Sequence, residues 1–394
     1  MGAARRRGDA DRTAHDRRVG GVYVGLDLGT SSLKGVAVTA AGEIVAESRA
    51  AYPTVREAPG QAEQDPGAWI RALRRVARRL AAAVPPPHWR ALGLSGMIPT
   101  LVTVDTLGRP VGAAPTWQDA RADAQAARLR SAAAEALGDP AGLYRRTGQR
   151  LDGRYLLPMA MRIADEEPRR AAATALILGA KDFLFGWLTG VWATDPSTAS
   201  GYGCYDLAEG RWLPEVVTAS GLAAGLPPIM PSTTTRPLSA AAATLTGIPA
   251  GLPVCLGAAD SVAGMLALGV TRPGDVAYIT GTSTVIAGVS AALALDLYER
   301  CLVTPLATPD GWGLEMDLVS TGSAVAWLAR ILGLGRGGEH RVMELAAAAP
   351  DAAWPAAASA PEPAAASAPG PTAGDGTSAP ADEPLFLPFL GRGE

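Results

Sequence analysis

The chain has 394 residues, 48% of them hydrophobic and 19% charged, which gives room for two domains with their own cores and excludes disorder throughout. A formal net charge of -3, with no basic stripe beyond the first twenty residues, argues against nucleic acid as a partner and leaves small molecules as the better candidates. Three widely spaced cysteines (Cys204, Cys255, Cys301) and three histidines (His15, His88, His340) support neither a disulfide framework nor a zinc site; the compartment reads as reducing and cytoplasmic, and carboxylates are left to carry any proton transfer.

Residues 1–20 are basic but lack the apolar region of a secretory signal, and are expected to form a disordered extension. "VYVGLDLGTSSLKGVAV", from Val22 to Val38, reads as two strands about a polar turn: Val22, Val24 and Leu26 alternate before it, and Val36 and Val38 repeat the period after it. Asp27 falls at the end of the first strand. Gly29-Thr30-Ser31-Ser32 can turn backbone N–H groups and hydroxyls toward one anion, with Lys34 adding a mobile positive charge. An ordinary hairpin with a polar turn accounts for the same residues.

"AGEIVAESRAAYP" adds a turn and a strand, so the sheet is expected to grow antiparallel. A helix follows, with Asp65 as N-cap and Pro66 at its first position. "RALGLSGMIPTLVTVD" reads as a buried strand, a turn from Gly96 to Pro99, and a further strand reaching Asp105. Residues 120–137 and 155–190 look helical, with Gly190 closing the second group. The apolar run "ATALILGAKDFLFGWLTG" is interrupted by Lys181 and Asp182, and nothing reaches the roughly 18 uninterrupted apolar residues of a membrane span. Pro/Gly-rich segments near 225–253 lead to "GLPVCLGAADSVAGMLALGV", a strand that becomes a helix after Asp260. Strands, then helix, then strand is an α/β pattern.

"VAYITGTSTVIAGVS", from Val276 to Ser290, repeats the first hairpin's layout around Gly281-Thr282-Ser283-Thr284. Two such hairpins about 250 residues apart suggest two related halves facing one ligand, an arrangement suited to a nucleotide. From Ala346 to Pro384 the composition collapses to Ala, Pro, Ser and Gly, so a flexible loop is expected there, with order returning at "LFLPFLGRGE".

Taken in order, "GLDLGTSSLKG", "EQDPGAW", "TWQDARA", "GAKDFLFGWLTG", "TDPSTASG", "LGAADSVAGMLALG", "ITGTS" and "FLPFLGRGE" resemble the FGGY family of carbohydrate kinases, of xylulose-kinase-like type, from about Val22 to the last residue. The resemblance implies an α/β, two-domain actin/Hsp70/sugar-kinase (ribonuclease H-like) fold. Residues 21–268 would form the N-terminal, sugar-binding domain, and residues 272–394 a partial, nucleotide-binding C-terminal domain carrying the 346–384 loop. It implies ATP and Mg²⁺ as cofactors, a small-molecule sugar or polyol as acceptor, and neither nucleic acid nor membrane as partner; a homodimer is left open.

Within that resemblance, Asp260 matches the base that removes the acceptor hydroxyl's proton as the bond to phosphorus forms. Its plain alternative is a helix N-cap, and the two are compatible because a helix N-terminus favours an ionised carboxylate. Asp27 matches a water-mediated holder of Mg²⁺. Gly29, Thr30, Ser31 and Lys34, with Gly281, Thr282 and Ser283, match phosphate-holding positions; for Ser31 and Thr282 plain turn chemistry is the alternative. Trp117, Asp119 and Arg121 match the W-x-D-x-R sugar-site motif, the alternative being a strand-to-helix junction capped by Asp119.

Met97 and Ser261 complete the expected acceptor side with Asp260, and both lie in departures. Gly96-Met97-Ile98-Pro99-Thr100 stands where xylulose kinases have G-Q-M-H-G, and Ala259-Asp260-Ser261 where they have G-D-N. Both changes remove polar groups, so pentulose specificity is not implied. Family members continue past the position of Leu387–Glu394 into a glycine-rich adenosine-binding region, so the expectation is a C-terminally truncated kinase with poor or no activity. A non-catalytic sugar-binding or inactive remnant is the alternative. An actin- or Hsp70-like ATPase acting on proteins shares the hairpins but leaves "TWQDARA" and "EQDPGAW" unexplained.

Overall fold

The computed structural model describes residues 21–280, 284–296, 298–308, 311–318, 321–335 and 337–348. The extension expected at 1–20, Gly281-Thr282-Ser283, the loop beyond 348 and the terminal "LFLPFLGRGE" lie outside them. By its contacts the chain divides into two units, residues 1–277 with 286–316, and residues 278–285 with 317–394.

In the first unit β1 (Val22–Leu28), β2 (Ser32–Thr39) and β3 (Ile44–Ala51) form the expected antiparallel meander. Val22, Val24, Leu26 and Leu28 are all buried. Val36 and Val38 keep their period, but on the half-buried face: Leu26 pairs with Gly35 and Leu28 with Leu33, so it is Leu33 and Ala37 that share the core. β4 (Glu63–Gln64) leads into α1 (Pro66–Ala83), where Asp65 caps the helix by accepting from the Gly67 N–H at 2.8 Å, with Pro66 in the first turn. The helix lays Trp69, Leu73, Val76 and Leu80 on the sheet, each fully buried side chain worth about 1.5–3 kcal/mol. A Cβ on Gly35 would stand 2.5 Å from Val76 Cγ1, so helix and strand meet this closely only because residue 35 lacks a side chain.

β5 (Trp89–Gly96) runs parallel to β1. β6 (Leu101–Val104) leaves the sheet, and β7 (Ala114–Pro115) pairs with β4. Helices α2 (Asp123–Leu137), α3 (Gly142–Thr147), α4 (Leu156–Glu166) and α5 (Pro168–Ala173) follow. The helical reading of 155–190 is corrected at β8 (Leu176–Gly179), which pairs antiparallel with β6. A short, fully apolar run has no periodicity to tell a buried strand from a buried helix. Helix resumes as α6 (Ala180–Thr189) and ends at Gly190 in the left-handed conformation.

Next come α7 (Pro196–Ser200), β9 (Tyr205–Asp206), β10 (Arg211–Trp212), α8 (Pro214–Ser220), β11 (Thr235–Pro237), α9 (Ala240–Thr246), β12 (Pro253–Ala259) and α10 (Asp260–Ala267). The main sheet has the order β11-β12-β5-β1-β2-β3, with β12, β5 and β1 parallel. β13 (Val276–Thr280), β14 (Thr284–Ser290), β15 (Leu302–Pro305) and β16 (Trp312–Leu318) form a second sheet in the order β13-β14-β16-β15. In the second unit α11 (Gly322–Ile331) packs on α12 (Gly338–Ala348). The last turn of α12 takes in Ala346–Ala348, the first residues of the expected loop. Among the described residues no helix is long and apolar enough to cross a membrane.

Candidate active site

The parallel strands β1, β5 and β12 end side by side, Leu28 opposite Gly96 and Gly96 opposite Ala259. Gly29, Met97 and Asp260 follow directly, so three separate stretches of sequence reach one edge of the sheet, the edge where open α/β sheets bind ligands. Asp27 pairs with Lys34 on one side and Ser95 on the other. Its carboxylate is 3.3 Å from Lys34 Nζ and accepts from Ser95 Oγ at 3.4 Å. With Val36 and the bare backbone of Gly25, Gly93 and Gly257, these three side chains line an open depression of about 360 Å³.

The first hairpin is held from several directions. Gly29 N–H donates to the Ser32 carbonyl at 3.2 Å, and Tyr52 N–H to the Ser31 carbonyl at 3.3 Å. The Tyr52 hydroxyl donates to the Gly29 carbonyl, and Gln64 Nε2 to the Thr30 carbonyl at 2.7 Å. Burial, with Asp27 nearby, pushes the Tyr52 phenol above its ordinary range, so it stays a donor. Trp117 Nε1 donates to Thr30 Oγ1 at 3.0 Å, and the Arg49 guanidinium to Ser32 Oγ at 2.7 Å and Ser31 Oγ at 3.2 Å. Arg49, Tyr52 and Gln64 were not among the expected site residues. Arg49 is the cross-strand partner of Lys34, a relationship visible only once the β2–β3 register is known.

On the acceptor side Asp119 caps no helix, since α2 starts at Asp123 after Ala122. Its buried carboxylate accepts from the Ala62 N–H at 3.0 Å and pairs with Arg121 at 2.7 Å. Arg121 also pairs with Glu63, and Arg162 lies 3.6 Å from Glu63. "EQDPGAW" and "TWQDARA" therefore meet in one charge cluster, as buried carboxylates require. Met97 packs into the core at 3% exposure, and its N–H donates to the Leu28 carbonyl at 2.9 Å.

Asp260 is the first residue of α10, and the N-cap position belongs to Ala259, which corrects the capping alternative by one residue. Asp260 is exposed and accepts from the Ser261 N–H at 3.0 Å, while Ser261 Oγ donates to buried Glu315 at 3.2 Å. The register slips at Gly257 just upstream: its φ is +73°, and a Cβ would lie 1.6 Å from the Leu94 carbonyl oxygen. Beneath this junction Lys181 Nζ sits 2.7 Å from Asp182 and 3.0 Å from Asp195, all three shut off from solvent. Asp195 also accepts from Ser197, Thr198 and Ser232, and Ser197 Oγ accepts from the Ala259 N–H at 2.9 Å. The interruption read at Lys181 and Asp182 is thus a buried ion cluster tied to the residue before Asp260.

The profile of the FGGY family of carbohydrate kinases, N-terminal domain, matches residues 22–267. The chain is 27% identical over 315 residues to the xylulose kinase of Escherichia coli K12, covering 79% of this chain and 63% of that protein. It is 30% identical over 310 residues to an autoinducer-2 kinase of Escherichia coli (strain Crooks), covering 77% and 57%. The crystal structure of xylulose kinase from Rhodospirillum rubrum matches with a TM-score of 0.76 at 30% identity, over 83% of this chain and 67% of that one. The chain spans 63% and 57% of the lengths of those two curated relatives. With well over half of it matched by the family profile, the chain belongs to the FGGY family of carbohydrate kinases, and its mixed α/β architecture is that of the sugar kinases.

Proposed function

We propose that this chain serves ATP-dependent phosphorylation of a sugar or polyol hydroxyl. The observation that carries the reading is the convergence of Asp27, the Gly29–Ser32 hairpin and Asp260 at one edge of the parallel strands, inside the segment matched to the family. In this reading Asp260 takes the acceptor's proton as its oxygen bonds to the terminal phosphorus and the bond to the ADP oxygen breaks, the electron pair leaving with ADP. Thr30, Ser31, Lys34 and the hairpin N–H groups hold phosphate oxygens, as do Gly281, Thr282 and Ser283 from the second hairpin.

Among the described residues no group of three or more His, Cys, Asp or Glu is placed to hold a metal. Asp27 is a single, partly exposed carboxylate beside the depression, which fits Mg²⁺ kept largely in its own waters and on substrate phosphates. Bound there, the ion would neutralise phosphate charge. On the acceptor side Asp119 and Glu63 fix the Arg121 guanidinium, and Trp117 stands beside the hairpin. Asp260 and Ser261 complete that side, whereas the Met97 side chain at the same strand end is packed into the core and leaves only its place in the chain to the site; residues 21–268 are the sugar-binding domain, 272–394 the nucleotide side, and the cytoplasm the location. Relatives are named for xylulose, apulose, gluconate and autoinducer-2; with Met97 and Pro99 where xylulose kinases have Gln and His, and Ser261 where they have Asn, the acceptor here is assigned only as a polyol, ketose or sugar acid.

The test is an ADP-release assay of the purified chain against pentuloses, hexonates and polyols with Mg·ATP. Turnover with one acceptor class, lost about 10²- to 10⁴-fold in Asp260→Asn, would support the reading. Saturable sugar binding without turnover would replace this reading by a non-catalytic sugar-binding protein.

A further inference from the structure

Every acceptor of the first hairpin is already occupied by a protein donor. The carbonyls of Gly29, Thr30, Ser31 and Ser32 accept, in order, from the Tyr52 hydroxyl, Gln64 Nε2, the Tyr52 N–H and the Gly29 N–H. The hydroxyl oxygens of Thr30, Ser31 and Ser32 accept from the Trp117 indole and the Arg49 guanidinium.

The two side chains that donate to the hydroxyls admit no other polarity. An indole N–H and a guanidinium only donate, so the hydroxyl oxygens they touch are acceptors, and the hydroxyl hydrogens are left for another partner. The orientation of Gln64 is forced in the same way. Its Oε1 faces Trp69 Nε1 at 2.8 Å, which only donates, so its amide nitrogen must face the Thr30 carbonyl and Thr54 Oγ1. Gln64 is 1% exposed and every one of its polar atoms is engaged.

We propose that Tyr52, Gln64, Arg49 and Trp117 are positioning residues that silence the hairpin's acceptors, so that it offers an incoming group hydrogen-bond donors only. The matching ligand is an acceptor-only anion such as a di- or triphosphate, for which one unpaired carbonyl would be a repulsive neighbour. The inference rests on the phosphate-hairpin reading above and extends it to residues that touch no phosphate themselves.

Tyr52→Phe is the informative variant, because it removes no group offered to the anion and only unmasks the Gly29 carbonyl. Mg·ATP and sodium pyrophosphate are titrated calorimetrically into wild type, Tyr52→Phe, Trp117→Phe, Thr30→Val and the Trp117→Phe/Thr30→Val double variant, with thermal melts confirming folding. Tyr52→Phe and Trp117→Phe are each expected to weaken pyrophosphate binding roughly three- to tenfold. In the Thr30→Val background Trp117→Phe is expected to add nothing, whereas Thr30→Ser, titrated alongside, keeps wild-type affinity. Unchanged affinity in the folded single variants, or losses that multiply in the double variant, overturns the proposal; Trp117→Phe, which removes the indole N–H and keeps an aromatic ring, decides it if Tyr52→Phe fails to fold. Wild type that binds pyrophosphate but not Mg·ATP sinks the nucleotide reading alone, and wild type that binds neither overturns both.

Discussion

Lys181 Nζ stands 3.0 Å from Asp195 Oδ1, with both side chains excluded from water. Burial alone would raise the Asp195 carboxyl, but Lys181 and the Ser197 and Thr198 donors outweigh it and hold it below the ordinary carboxylate range. A carboxyl lowered by folding adds stability above its unfolded value and loses that contribution as pH falls through the folded one. Lys181→Met removes the cation and leaves Asp182 and Asp195 buried together, so a loss of about 3–5 kcal/mol is expected at neutral pH. In the variant burial and the Asp182–Asp195 repulsion are opposed only by the hydroxyl and N–H donors, and the sign reverses. Urea melts from about pH 8 to about pH 5 should show the gap between variant and wild type narrowing as acid neutralises the pair; a gap that widens would contradict the assigned charges.

Gln64 joins Trp69 to Thr30 with no polar atom to spare. Gln64→Leu leaves the buried Trp69 indole N–H unpaired, which costs about 1–3 kcal/mol. Removing both partners is expected to cost less than the sum, so Trp69→Phe should be milder in the Gln64→Leu background than in wild type. Denaturant midpoints of the four proteins give that cycle, and additive losses would count against the bond.

Much of this arrangement is legible in the residues. The period-two run from Val22, the break at Gly29 and the Asp65-Pro66 helix start are local signals, and local geometry obeyed them. The strand-to-helix switch at Asp260 was readable for the same reason. What escaped was set by distant pairing. Leu176–Gly179 became a strand because β6 was there to receive it, and Lys181 looked like a blemish in an apolar run because its partner Asp195 belongs to another motif. Arg49 was invisible until the β2–β3 register set it opposite Lys34.

The cysteines should differ in reactivity. Cys204 is fully buried, and burial pushes its thiol far above the ordinary range. Cys255 and Cys301 are partly exposed. Because the thiolate is the reactive form, iodoacetamide under native conditions should modify Cys255 and Cys301 while sparing Cys204, as read by peptide mass spectrometry. Labelling of Cys204 at the same rate as the other two would show that the core around it opens readily.

Gly257 controls how the chain arrives at Asp260. Its φ of +73° is one that residues with a Cβ adopt only under strain, and the added carbon would meet the Leu94 carbonyl oxygen at 1.6 Å. That oxygen belongs to the backbone of β5, so relief requires the β12–β5 pairing to shift where it already slips, between Cys255 and Ala258. Gly257→Ala is therefore expected to cost at least about 1–3 kcal/mol from backbone strain alone. The displacement falls first on Ala259 and Asp260, which continue from β12 itself, and reaches the first hairpin only through the β5–β1 pairing. If the kinase reading holds, turnover should fall far more than Mg·ATP affinity, because misplacing a base by about 1 Å can cost on the order of 100-fold in rate. Steady-state kinetics beside calorimetry of the folded variant separate the two effects. Equal losses in both would mean that Gly257 supports the whole sheet edge rather than the placement of Asp260.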